Sequence, residues 1–213
     1  MTREAAEHWE NVYRTKGFNE VSWYQENPKT SIKLMLDLAP DKDSMIIDVG
    51  GGDSNLADKL IELEFRNITV LDVSSKALER AKNRLGENAE RINWICSDIR
   101  EFETDKRFDI WHDRATLHFL TSEDDKIKYA EAARRYLNSN GHIIISTFST
   151  HGPKKCSGLD IQQYSEDSMK KLFRELEHIK SFEEEHLTPS GSSQIFLYNV
   201  FRNRRKNGKK RKN

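Results

Sequence analysis

The fold of this chain is most constrained by one stretch in which an apolar run, three glycines and a helical pattern follow one another. Residues 45–49 are mostly apolar, as in a buried strand of a parallel sheet. Three glycines at 50–52 come next, and then Asp53 or Ser54 as a helix N-cap. Apolar residues at helical spacing follow over 56–61. The stretch therefore predicts a strand, a tight turn and a helix, which open a nucleotide-binding βαβ unit.

The spacing of the glycines separates two classes of ligand. A dinucleotide-binding turn has the pattern G-x-G-x-x-G, and this chain has Asn55 in place of the third glycine. Asp53 also puts a carboxylate where a pyrophosphate would lie, at the N-terminus of the helix. That charge repels phosphate and suits a cationic ligand. The turn therefore argues against a hydride-transfer enzyme that uses NAD.

The acidic residue before the turn completes a different pattern. The run 48–52, Asp-Val-Gly-Gly-Gly, resembles motif I of the class I S-adenosylmethionine (SAM) methyltransferases, written D/E-x-G-x-G. The next predicted strand, 68–72, ends in Asp72, which lies 24 positions after Asp48 and precedes Val73 and a serine that suits a helix N-cap. One ionised carboxylate can accept hydrogen bonds from both hydroxyls of a ribose. The resemblance implies this role for Asp72.

The resemblance implies further contacts to SAM or to its product, S-adenosylhomocysteine (SAH). A third strand, predicted within 91–99, places Asp98 where an acid accepts from the adenine amino group, and Ile99 where a backbone amide meets a ring nitrogen. Aromatic residues of the N-terminal segment would contact the sulfonium as cation–π partners. The implied cofactor-binding residues are Asp48, Gly50, Gly51, Gly52, Asp72, Val73, Asp98, Ile99, Asp113, Tyr13 and Trp23.

The family resemblance covers residues from about 4 to 201 and implies a three-layer α/β/α Rossmann-like fold. Its sheet would be mostly parallel and seven-stranded, in the order 3-2-1-4-5-7-6. The fourth and fifth strands are predicted over 108–112 and 142–148. Alternating residues over 178–186 and 194–201 predict the closing antiparallel hairpin.

The chain divides into a lid, a core and a tail. Residues 1–40 contain two predicted helices and resemble the N-terminal lid of some bacterial and protein-lysine methyltransferases, whereas residues 41–201 form the core. Residues 202–213 carry eight Lys or Arg and no acid, so they predict a disordered basic tail. Because the whole chain has zero net charge, the body is acidic. Nucleic acid is therefore an unlikely partner, except weakly through the tail.

The composition predicts a globular protein of one domain. The chain is 36% hydrophobic and 33% charged, and it has neither an apolar run of the ~18 residues that a membrane span needs nor a signal peptide. Cys96 and Cys156 form no metal-binding or disulfide pattern. We therefore expect no bound metal, and we expect a cytoplasmic location.

The chemistry requires few catalytic side chains. Methyl transfer depends mainly on aligning donor and acceptor, and a base is needed only when the acceptor must lose a proton. The segment 112–118 should line the site, because ligands bind at the carboxyl ends of parallel strands. Its titratable residues are His112, Asp113, Arg114 and His118. Of these, His118 is the leading base, with a pKa expected near the working pH, and Arg114 and Tyr24 are the expected substrate contacts.

The acceptor is predicted to be a small molecule. Lysine methyltransferases with a similar N-terminus carry D-K-G-T-x-D-A after the fourth strand, but residues 113–118 here are Asp-Arg-Ala-Thr-Leu-His and lack the second acid. A loop over 149–164 would help to enclose the acceptor. The alternatives are a protein-lysine methyltransferase and a non-catalytic SAM-binding protein.

Overall fold

A computed structural model describes residues 3–39 and 41–204 of the chain. The helices are α1 (Arg3–Thr15), α2 (Lys29–Leu38), α3 (Leu56–Glu62), α4 (Ser75–Leu85), α5 (Glu123–Tyr136) and α6 (Glu166–Leu172). The strands are β1 (Met45–Val49), β2 (Asn67–Asp72), β3 (Ile92–Cys96), β4 (Phe108–Arg114), β5 (Leu137–Phe148), β6 (Lys155–Cys156), β7 (Leu159–Asp160), β8 (Glu177–Leu187) and β9 (Ser193–Arg202). Within the described ranges, no helix has the length and apolar character needed to cross a membrane.

The main sheet has seven strands in the order β3-β2-β1-β4-β5-β9-β8. The first five pair in parallel, and β9 lies antiparallel between β5 and β8. Because β6 and β7 form a separate two-stranded hairpin, this order confirms the predicted 3-2-1-4-5-7-6 arrangement.

Apolar residues cover both faces of the sheet, which gives the three predicted layers. Successive residues of β1 alternate between the two faces: Ile46 packs with α2 and α3 in one core cluster, and Ile47 packs with α5 and α6 in the other. A buried parallel sheet needs this double cover, since both of its faces are apolar.

Two boundaries in the last part of the chain differ from the prediction: the start of β5 and the end of the core. Strand β5 begins at Leu137 instead of 142, and Asn140 adopts a φ of 64° within it. The backbone of Asn203 pairs with this irregular part, because its carbonyl accepts from Asn140 N at 2.7 Å. Arg202 is the last residue of β9. Residues 202–204 thus belong to the fold and not to the tail, and the rest of the predicted tail, 205–213, lies outside the described residues.

The N-terminal helix is held on the carboxyl edge of the sheet by its contacts with α4. Glu10 accepts hydrogen bonds from the backbone N–H groups of Ser75 and Lys76, at 2.6 and 3.2 Å, at the N-terminus of α4. Arg80 of α4 donates to the carbonyl of Tyr13 at 2.9 Å. These contacts bring the aromatic face of α1 over the ends of β1 and β2.

Candidate functional site

The turn after β1 requires glycine for two reasons. Gly50 and Gly52 have φ values of 65° and 51°, which side chains with a Cβ rarely adopt. A Cβ on Gly50 would lie 1.8 Å from Thr116 Oγ1, and one on Gly52 would lie 2.5 Å from the Tyr13 hydroxyl oxygen. The turn is therefore shaped so that neighbouring groups approach its backbone closely.

Asp72 lies at the end of β2, beside this turn. Its buried carboxylate accepts from Ser74 N at 2.8 Å and from the backbone N–H of Gly52. Burial, together with the nearby carboxylates of Asp53 and Asp48, raises the pKa of Asp72 to about 7 in spite of these hydrogen bonds. An additional hydrogen-bond donor would stabilise the ionised form.

One cavity brings together most of the residues predicted to bind the cofactor. It opens between the glycine turn, the ends of β2, β3 and β4, and the N-terminal segment. The predicted residues that line it are Tyr13, Trp23, Gly50, Asp72, Val73, Asp98, Ile99 and Arg114.

An aromatic cluster closes one side of this first cavity. The Trp9 ring lies edge-on to Phe119 and Trp23, with centroid distances of 4.9 and 5.7 Å, and Tyr13 lies 6.2 Å from Trp23. Neither Trp9 nor Phe119 is among the site residues predicted from the sequence. Trp9 could have been identified from its position on the apolar face of α1. Phe119 could not, because its contact with that helix depends on tertiary packing.

Asp98 faces the first cavity but is also held by a neighbour. Arg100 donates to its carboxylate at 2.8 Å and bonds Asp125 of α5 at the same distance. This bridge orients the Asp98 carboxylate at the end of β3.

Asp113 does not line the first cavity, which differs from its predicted contact with the cofactor. Its fully buried carboxylate accepts from Thr116 N, Leu117 N and the Tyr129 hydroxyl at 2.8, 3.0 and 2.5 Å. Burial raises the pKa of Asp113 to about 6. These hydrogen bonds hold the bend at Ala115, whose φ is 76°. Asp113 therefore fixes the position of Ala115 and Thr116, which line the first cavity, without lining it itself.

His118 is also placed differently from the prediction. Its side chain is fully buried between the rings of Phe119 and Phe148, at centroid distances of 4.5 and 4.6 Å, and Nδ1 accepts from Phe148 N at 3.3 Å. Burial, together with the charge of Arg114, lowers the pKa of His118 to about 3. The prediction of a pKa near the working pH is therefore wrong. The apolar surroundings disfavour the charged imidazolium and so lower the pKa of His118.

We expect His118→Ala to lower the free energy of unfolding by about 2–4 kcal/mol, because it removes a buried ring from the core. Its effect on SAH affinity should be smaller than its effect on stability. Urea denaturation and calorimetry measure the two quantities, with the exposed His151→Ala as the control. Unchanged stability with a large loss of turnover would restore His118 as a candidate base.

A second cavity adjoins the first and shares Trp23, Gly50 and Arg114 with it. The segment between α1 and α2 covers it, and Tyr24, the predicted substrate contact, lines it with its ring edge-on to Phe18 at 5.0 Å. Arg114 donates to the carbonyl of Trp23 at 2.9 Å, and its guanidinium lies 4.5 Å from the centre of the Phe196 ring. Asp48 and Gly51, which were also predicted to contact the cofactor, line this second cavity.

Three buried side chains meet on the floor of the second cavity. Asp48 Oδ1 lies 2.7 Å from His112 Nδ1, and His112 Nε2 lies 2.9 Å from Ser31 Oγ. Asp48 and His112 are predicted from the sequence as separate site residues, and Ser31 is not among the predicted residues. Only the pairing of β1 with β4 and the packing of α2 bring the three together.

Known proteins are similar to this chain in sequence and in fold. A family profile described as a methyltransferase domain matches residues 40–205. The eEF1A lysine and N-terminal methyltransferase of Mus musculus is 23% identical over 162 residues, which cover 72% of this chain and 23% of that protein. The malonyl-[acyl-carrier protein] O-methyltransferase 2 of Ilyobacter polytropus is 24% identical over 138 residues, or 64% and 48% of the two chains. The chain thus spans about a quarter to a half of the length of these curated relatives.

Solved structures agree in fold. The N-methyltransferase NodS from Bradyrhizobium japonicum, in complex with SAH, has a TM-score of 0.71 at 20% identity and covers 92% of this chain and 98% of its own. The 1,6-didemethyltoxoflavin-N1-methyltransferase of Burkholderia thailandensis also has a TM-score of 0.71, at 17% identity, with 94% and 88% covered. The family profile matches most of the chain. The chain therefore belongs to the methyltransferase domain family and has the Rossmann-like fold of the class I SAM-dependent methyltransferases.

Proposed function

We propose that this chain binds SAM in the first cavity and transfers its methyl group to a small molecule held in the second. The observation that carries the proposal is the turn at Gly50 and Gly52, which leaves no room for a Cβ and lies against the buried carboxylate of Asp72. SAM supplies an electrophilic methyl group on a positively charged sulfur.

Each part of the first cavity suits one part of SAM. Asp72 would accept from the ribose hydroxyls, and Asp98 with the backbone N–H of Ile99 would meet the adenine edge. The faces of Trp9, Tyr13 and Trp23 would stabilise a cation, because aromatic rings carry negative charge on their faces. The same cover limits the access of water.

The enclosed position of the second cavity favours a small acceptor. Residues of the segment between α1 and α2, such as Phe18, Val21 and Tyr24, lie over it, and a protein side chain would have to enter past them. Methylation of a protein amino group is the alternative, since the similar protein of Mus musculus is named as an eEF1A lysine and N-terminal methyltransferase. A cytoplasmic location is compatible with Cys96 and Cys156, which are both free thiols.

Binding and turnover test the proposal separately. Calorimetry should give micromolar affinity for SAH and no measurable affinity for NAD. SAM consumption is then measured against a panel of metabolites and, in parallel, against lysate proteins. Tighter binding of NAD than of SAH would refute the cofactor assignment, whereas methylation of proteins only would favour the alternative acceptor. SAH binding with no acceptor in either panel would favour a non-catalytic SAM-binding protein.

A further inference from the structure

We propose that Ser31, His112 and Asp48 form a proton relay for the methyl acceptor, which therefore reacts through an oxygen or nitrogen that bears hydrogen. The proposal rests on the proposed methyl transfer and names the chain's own groups that assist it. The three side chains come from α2, β4 and β1, so the relay exists only in the assembled fold.

The sheet register brings two of these groups together. His112 is the cross-strand partner of Asp48 in the parallel pair of β1 and β4. Their neighbours two positions earlier, Ile46 and Ile110, pack in the cluster that contains α2 residues, so both polar side chains point toward α2. Ser31 lies in the first turn of that helix and completes the row. All three side chains are buried.

The order of the contacts sets the direction in which a proton can move. In the proposed relay His112 is neutral and carries its hydrogen on Nδ1, which donates to the Asp48 carboxylate, so Nε2 is left as an acceptor. With this tautomer, the Ser31 hydroxyl donates its hydrogen to Nε2, which lies 2.9 Å away. The oxygen of Ser31 keeps its lone pairs for a further donor, and both Ser31 and His112 line the second cavity.

The proposed step couples this proton movement to the methyl transfer. The O–H or N–H of the acceptor gives its proton to Ser31 Oγ, whose own hydrogen moves to His112 Nε2. Asp48 stabilises the resulting imidazolium. The electron pair freed on the acceptor forms the bond to the methyl carbon, while the carbon–sulfur bond breaks and its electrons stay on sulfur. An acceptor without a removable proton, such as a thioether or a tertiary amine, gains nothing from the relay.

The protonation state of His112 tests the relay without an acceptor. Nitrogen-15 NMR of the histidine-labelled full chain, with and without SAH, distinguishes the two ring nitrogens. We expect His112 to carry hydrogen on Nδ1 only, and we expect Ser31→Ala to shift the Nε2 resonance. Hydrogen on Nε2 at neutral pH would overturn the proposal, because Ser31 would then have no acceptor.

Kinetics with the acceptor found by the SAM-consumption screen test the role in transfer. Ser31→Ala should lower kcat at least about tenfold while the KM for SAM and the affinity for SAH change little, and Ser31→Thr should restore most of kcat. Thr30→Val is the matched control, since it removes a neighbouring hydroxyl of α2 that bonds Glu184 instead. A kcat in Ser31→Ala equal to that of the wild type would overturn the relay alone.

One other result would also be decisive. If the wild-type chain binds no SAH, or binds it without transferring a methyl group to any acceptor, the proposed function fails and the relay fails with it. Failure of the relay alone leaves SAH binding and wild-type transfer intact.

Discussion

Gly50→Ala is expected to abolish measurable SAH binding and to lower the free energy of unfolding by about 2–5 kcal/mol. The φ of 65° at Gly50 strains any residue with a Cβ, and the added atom would lie 1.8 Å from Thr116 Oγ1. Thr116 is held in place, because its hydroxyl donates to Val49 O at 3.1 Å and its backbone N–H donates to Asp113. The backbone of the turn must therefore move. Urea denaturation and calorimetry measure the two losses.

Gly191→Ala is the control that separates the effect of backbone strain at a positive φ from the effect of the close contact with Thr116. Gly191 also has a positive φ, 84°, but no described residue beyond its two chain neighbours has an atom within 4 Å of the position its Cβ would occupy. This variant should lose only about 1–2 kcal/mol of stability and should bind SAH like the wild type. Similar losses in both variants, with SAH binding retained, would show that the close approach at Gly50 does not matter.

Asp72→Asn is expected to weaken SAH binding about 10- to 150-fold at pH 8, which corresponds to the roughly 1.5–3 kcal/mol of a hydrogen bond to a charged group. The amide has one acceptor oxygen, whereas the carboxylate has two, and Ser74 N and Gly52 N already occupy acceptor positions. Isothermal titration with SAH measures the difference. An exposed acid, as in Glu79→Gln, is the control. Equal affinity of the Asp72 variant and the wild type would place the ribose elsewhere.

The raised pKa of Asp72 adds a dependence on pH with a definite sign. The folded chain keeps this proton up to about pH 7, whereas the unfolded chain releases it near the ordinary value of 3.8. Between these values the folded state binds more protons, so the contribution of Asp72 to the free energy of unfolding falls as the pH rises. From pH 5 to pH 8, the ligand-free wild type should therefore lose stability relative to Asp72→Asn. SAH affinity should rise over the same range, because the ribose hydroxyls favour the ionised form.

The first half of the core could be predicted in detail from the sequence. Strand β1 has the predicted bounds, and β2 begins one residue earlier than predicted. These elements are set by local signals: alternation or continuity of apolar residues, glycines where φ is positive, and a serine cap at Ser74 that accepts from Ala77 N at 3.1 Å. The motif spacing then placed Asp72 and Asp98 at neighbouring strand ends, and the structure brings both to the first cavity.

Errors arose where a side chain's role depends on what packs against it. Asp113 and His118 stand at the expected end of β4, but Tyr129 bonds the first and two phenylalanine rings enclose the second. Burial then changed their chemistry, because an apolar environment disfavours the charged form of each group. No local pattern around residues 113–118 reports this environment.

The sequence by itself determined the family, the order of the strands and the glycine turn, because these depend on residues that are close in sequence or spaced by a motif. The tertiary structure alone decided which polar groups meet inside the cavities. Ser31 and His112 are 81 positions apart, and Asp48 and His112 are 64 apart. Their contacts follow from sheet register and helix packing, which sum many weak apolar interactions over the whole core, and no short pattern of residues encodes that sum.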